Sequence, residues 1–147
     1  MLKEAFSEET DLREAEDPRL RAIQEAAVHI ISAQSVWRQR WQGTSPIAMI
    51  DPVEYPTPLS IRFAFGAERA RFWGFFETIT DDDALLRVVD FKTLDGTSYS
   101  EPLWHMMQHV VNHGSYHRGQ ITGRLLDMGF DSAVTSTDLI TYYRSLV

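Results

Sequence analysis

The chain has 147 residues, 44% hydrophobic and 24% charged, with a formal net charge of −7 and no cysteine. That size and balance fit one soluble globular domain over residues 1–147, with a core of its own. The negative charge, with no compensating Lys/Arg cluster, argues against nucleic-acid binding. The lack of cysteine excludes disulfides and thiolate sites and leaves His, Asp and Glu as the strong metal ligands. No apolar run approaches the roughly 20 residues of a membrane span, and the opening MLKEAFSEETDL is no signal peptide. A cytoplasmic protein is expected, without membrane or nucleic-acid partners.

Residues 1–16 are half charged and predict a short or poorly ordered segment. Asp17-Pro18 supplies an N-cap followed by proline at the first helical position. From there Leu20, Ile23, Ala27, Ile30, Trp37 and Trp41 trace one helical stripe that stops at Gly43. Four prolines in residues 44–58 predict a loop, and a strongly aromatic helix is expected from about Ser60 to Thr80. Val88–Phe91 and Thr97–Tyr99 flank Asp95-Gly96, a hairpin signal. Ser100 then serves as a plausible cap for a long helix from about Glu101 to Met128, closed by Gly129. A short helix from about Thr137 to Leu146 finishes the chain. The class is all-α, a helical bundle with one small hairpin.

Residues 105–120, HMMQHVVNHGSYHRGQ, hold four of the five histidines, each four residues after the last. Taking the core direction from Leu103, Met107, Val110, Val111, Ile121, Leu125 and Met128, His117 lies roughly 65° and His113 roughly 105° away. His109 at about 145° and His105 at about 175° read as surface residues. His113 and His117 stack on one face, the spacing at which two imidazoles reach a common cation. His29, with Ala22, Ala26 and Ala33 beside it, is the natural third ligand from another helix. The same spacing also suits a hydrogen-bonded histidine set with no metal. Gly114 points at the core, which suggests close helix approach or room beside an ion. Arg118 is expected inward, in a structural ion pair in preference to a role as substrate anchor. The aromatic residues of 63–76 are expected in the core.

HVVNHGSYHRGQ (109–120) closely resembles the NHxxYHRGQ signature of the DinB/YfiT-like superfamily of metalloenzymes, through Asn112, His113, Tyr116, His117, Arg118, Gly119 and Gln120. VHIISAQSVWRQRWQG (28–43) and LDGTSYSEPLWHMMQHV resemble its second helix and its hairpin. The resemblance implies a four-helix bundle of up-down-down-up type and a divalent metal, zinc or nickel, on His29, His113 and His117. It also implies thiol S-transfer or related isomerisation, with a low-molecular-weight thiol and an electrophile as partners. The first bundle helix of that fold has little room in residues 1–16, so a partner chain is expected to complete the bundle as a homodimer.

Three histidines leave a coordination position open, where a thiol or water can be activated for S-transfer or hydrolysis. The rival is a non-catalytic metal-binding bundle with a structural or stress-related role. No catalytic residue is singled out.

Overall fold

The computed structural model describes residues 7–131 and 134–146. Of the N-terminal segment, residues 7–16 form turns without a helix; residues 1–6 lie outside the described residues. Three long helices carry the fold: α1 Pro18–Trp41, α2 Pro58–Phe76 and α4 Leu103–Asp127. A four-residue helix α3 (Asp83–Leu86) leads into an antiparallel hairpin, β1 Val88–Lys92 and β2 Ser98–Pro102. A last short helix α5 spans Leu139–Arg144. None of these helices is long and apolar enough to cross a membrane.

Helix α1 begins as its sequence dictates, with the Asp17 carboxylate accepting from the Arg19 amide and Pro18 in the first turn. Gly43 takes φ +87°, a left-handed conformation that glycine adopts without strain, and so releases the chain from the helix. Helix α2 starts two residues earlier than its sequence suggested. Thr57 and Ser60 form a reciprocal capping box, and Pro58 occupies the first turn. It also stops sooner, at Phe76.

The contacts fix the helix directions. Arg19 reaches the Asp127 carbonyl, His29 meets His113 and His117, and Trp37 meets His109, so α1 and α4 run antiparallel. Arg38 pairs with Glu68 while Trp41 packs on Phe72 and Phe75, so α1 and α2 run parallel. A parallel pair needs a long return, and residues 44–57 provide it. That return is pinned to α1 by Gln24 Nε2, which donates to the carbonyls of Pro52 (2.6 Å) and Tyr55 (3.0 Å). Ser32 Oγ adds a bond by accepting from the Ile50 amide at 2.7 Å. Two parallel helices and one antiparallel helix are what an up-down-down-up bundle contributes after its first helix.

The core gathers at the hairpin end of the bundle: Trp41, Phe75, Val89, Phe91, Leu103, Met106 and Val110, flanked by Trp37, Phe72, Phe76 and Met107. The expected burial of the aromatic helix is largely overturned. Only Ala64, Glu68 and Phe75 of α2 are buried, while Phe63 and Trp73 are 68% and 61% exposed. The reason is geometric: α2 packs mainly against α1, and only its C-terminal end, at Phe75, reaches the core shared with α4 and the hairpin.

The hairpin is longer than its turn signal implied, and β2 runs to Pro102. Ser100 is therefore a strand residue whose hydroxyl donates to Asp90, not a helix cap. Helix α4 starts at Leu103, whose amide donates to the Arg87 carbonyl at 2.9 Å. This bond ties the hairpin to the helix that carries the histidines.

Candidate metal centre

On α4 the buried positions are Leu103, Met106, Val110 and Gly114. Val111, counted as core from sequence, is 61% exposed. The inward direction is therefore rotated towards the histidines by roughly 40° at 100° per residue. His113 and His117 face the α1–α4 interface, where both are half-buried.

His29, on the facing stretch of α1, completes the set. One ligand nitrogen from each of His29, His113 and His117 lies within 4.8 Å of the other two. Ring centres are 5.0 Å apart for His29–His113, 4.6 Å for His29–His117 and 4.4 Å for His113–His117. His29 Nε2 and His113 Nε2 are 3.1 Å apart, so one donates a hydrogen bond to the other.

The donor chemistry fits a divalent cation. Burial, and then the neighbouring His117, pushes the His29 imidazole below its ordinary pKa. Burial, followed by His117, His29 and His109, lowers His113 to about 4. Both rings are thus neutral near pH 7, the form that ligates. His117 Nδ1 donates to Gln120 Oε1 at 2.9 Å, which leaves Nε2 as its free lone pair. Two nitrogens bound at about 2.05 Å in tetrahedral array stand roughly 3.3 Å apart, so the three rings need only small adjustments to share an ion. No carboxylate joins the cluster among the described residues.

The other sequence candidates fall around this centre. His105 is exposed and pairs with Glu101 at 3.1 Å. His109 is also exposed, as expected, yet its ring lies 4.8 Å from Trp37 and 5.6 Å from His113. Burial, then the Arg40 charge, lowers its pKa. Tyr116 is 64% exposed, its ring edge against His117.

Arg118 corrects the sequence reading. It is exposed, and among the described residues it has no acidic partner and one polar contact, Nη2 to Ser115 Oγ at 3.4 Å. Its guanidinium lies across Gly114, where an added Cβ would stand 3.1 Å from Nη1. The three atoms nearest that Cβ all belong to the Arg118 guanidinium, so this side chain is the first that a Cβ at Gly114 would displace. The inward assignment failed for the same reason as Val111's: the open α2–α4 flank leaves that side of the helix uncovered.

Two features escaped the sequence reading. Glu68, 1% exposed, accepts from Arg38 Nε at 2.6 Å and Arg71 Nη1 at 3.2 Å. Arg40, 5% exposed, has no anionic partner among the described residues, and its Nε has no acceptor. The segment WRQRW (37–41) was the available signal: on a helix packed along one stripe, Arg38 and Arg40 cannot both face away from it.

The comparisons with known proteins agree with this arrangement. The Protein DinB of Bacillus subtilis (strain 168) is 49% identical over 37 residues, which cover 25% of this chain and 22% of that protein. No solved structure matches. The chain matches the model described as "DinB family" over residues 3–144. With a helical bundle and three converging histidines already in place, that match across nearly the whole chain decides its membership: the protein belongs to the DinB family.

Proposed function

We propose that this protein is a divalent-metal-dependent enzyme that activates a small thiol for transfer to an electrophile, with water as the alternative nucleophile. The observation that carries the reading is the convergence of His29, His113 and His117 from two helices with no fourth protein ligand among the described residues. Structural zinc sites are closed by four protein ligands, whereas catalytic ones keep a position for a visitor. Zinc or nickel held there would lower the pKa of a bound thiol and so supply the thiolate that a cysteine-free chain lacks. The chain's own residues do the remainder: the His29 and His113 rings stay neutral, and Gln120 fixes the tautomer of His117.

A test is to load the protein with Zn or Ni and assay low-molecular-weight thiols against electrophilic acceptors, with His117→Ala as control. Metal-dependent consumption of thiol, absent in the variant, supports the reading. Stoichiometric metal without turnover supports a non-catalytic metal-binding bundle instead. The 3.1 Å His29–His113 bond favours a different rival, a metal-free histidine set. That rival requires a purified parent with no bound metal.

A second copy of the chain is proposed to cover the open flank, where Phe63, Trp73 and Val111 are 68%, 61% and 61% exposed. Light scattering should give the dimer mass at micromolar concentration; a stable monomer there would refute it.

A further inference from the structure

Between the hairpin and the first turns of α4 lies a cleft of about 440 Å³. Trp37 of α1, Met106 and His109 of α4, and Phe91, Tyr99 and Glu101 of the hairpin stand on its walls. The strand register explains the hairpin's share. Phe91 pairs with Tyr99 and Val89 with Glu101, and alternate residues of a strand point to one face. That face turns inward, since Val89 and Phe91 are buried while Val88, Asp90 and Lys92 are exposed. Two rings and a carboxylate are thus presented together. Phe91 and Tyr99 stack with centres 5.9 Å apart, and Trp37 meets Phe91 edge-on at 5.4 Å. A mostly apolar cleft of this volume with few polar groups suits a small molecule.

The charge on the walls has one sign. Glu101 is their one carboxylate, and no Lys or Arg stands among them. Its Oε2 lies 3.1 Å from His105 Nδ1, while Oε1 has no hydrogen-bond partner among the described residues. Arg40 is set outside the walls, 5% exposed, with its guanidinium carbon 4.6 Å from the centre of the Trp37 ring and 5.2 Å from that of Phe91. Those two rings therefore already carry a cation. Tyr99 makes no such contact among the described residues and is 49% exposed. Two residues along one strand face separate Tyr99 from Glu101, about 7 Å at 3.3 Å per residue. An ammonium group fits that interval, meeting a π face on one side and a carboxylate oxygen on the other.

We infer that this cleft binds a small organic cation, an ammonium group on a flat apolar body, with the charge between Tyr99 and Glu101 and the body against Trp37 and Met106. An anionic guest meets the Glu101 carboxylate with no cation on the walls to offset it. The chain's net charge of −7 also draws cations towards the surface. An ion at the three histidines would not oppose the guest strongly: Leu103, beside Glu101, is ten residues or about 15 Å before His113 on α4, beyond the screening length at physiological salt. The apolar body extends the other way, towards His109, whose ring is 5.6 Å from that of His113. A role for the guest as substrate rests on the metalloenzyme reading; its binding does not.

The test titrates the full chain, freed of metal, with 2-naphthylmethylammonium, 2-naphthylmethanol and 2-naphthoate in a calorimeter. The ammonium should bind about tenfold more tightly than the alcohol, and naphthoate most weakly. Glu101→Gln keeps the size of the side chain and removes its charge, so ammonium and alcohol should come within about threefold of each other. Tyr99→Leu keeps an apolar contact and removes the π face, so it should weaken the ammonium by several-fold more than the alcohol. Equal affinity for ammonium and alcohol, or naphthoate bound as tightly as the ammonium, would overturn the inference. So would a preference undiminished in Glu101→Gln, which would trace it to the net charge of the chain. Should a variant fail to fold, the ranking of the three probes on the parent still decides. With no metal in these titrations, a negative result leaves the metalloenzyme reading standing, and a purified protein without metal leaves this inference standing.

Discussion

His29→Ala and His117→Ala are each expected to strip the protein of its bound metal. In a three-ligand centre each imidazole carries about a third of the affinity. A protein zinc site is worth roughly 10 kcal/mol or more, so losing one ligand lowers affinity by about two to three orders of magnitude. Elemental analysis after gel filtration should give close to one Zn or Ni per parent chain and next to none in either variant. His105→Ala, at an exposed residue paired with Glu101, should keep the parent's content. At His113 itself protons should compete late, because burial and the neighbouring rings hold that imidazole at about 4, so it stays uncharged until the pH falls towards that value. Unchanged metal in His29→Ala would show that the ion, if present, sits elsewhere.

The second large effect concerns the joint between α1 and α2. Glu68→Ala removes a carboxylate that is 1% exposed and leaves Arg38, 12% exposed in its side chain, without an acidic partner. Breaking a buried pair from one side costs about 3–5 kcal/mol, chiefly through the charge left behind. For a chain of this length that corresponds to a melting temperature lower by roughly 10 °C. The contrast is Arg71→Ala. Arg71 also reaches Glu68, but its side chain is 58% exposed, so its loss should cost under about 1 kcal/mol. Urea denaturation of both variants checks the pair. A Glu68→Ala protein within about 1 kcal/mol of the parent would mean that packing alone joins the two helices.

The three-histidine cluster was legible because three independent signals coincide on it: a four-residue repeat, a facing helix with small neighbours, and a family signature. Helix starts at Asp17-Pro18 and stops at Gly43 were legible too, since caps act locally. What failed was orientation. The helical wheel of α4 weighted Val111 as core although it is 61% exposed, and it omitted Met106, which is 2% exposed. Apolar residues mark a buried face only when something covers that face, and the flank between α2 and α4 lacks a cover among the described residues. Arg118 and the aromatics of α2 were misplaced for that same reason. Arg40 was illegible for another: composition cannot say which of two nearby arginines a packed helix takes inside.

His29, Ala33 and Trp37 advance along α1 in steps of four, as His105, His109, His113 and His117 do along α4. Two such tracks, laid in opposite directions, remain in step only while both keep that count. One residue inserted between His29 and Trp37 would swing the indole by about 100° relative to the imidazole. Length within these two short tracts is therefore under tighter constraint than the identity of most residues inside them. The return over residues 44–57, held to α1 by Gln24 and Ser32, carries no such helical phase.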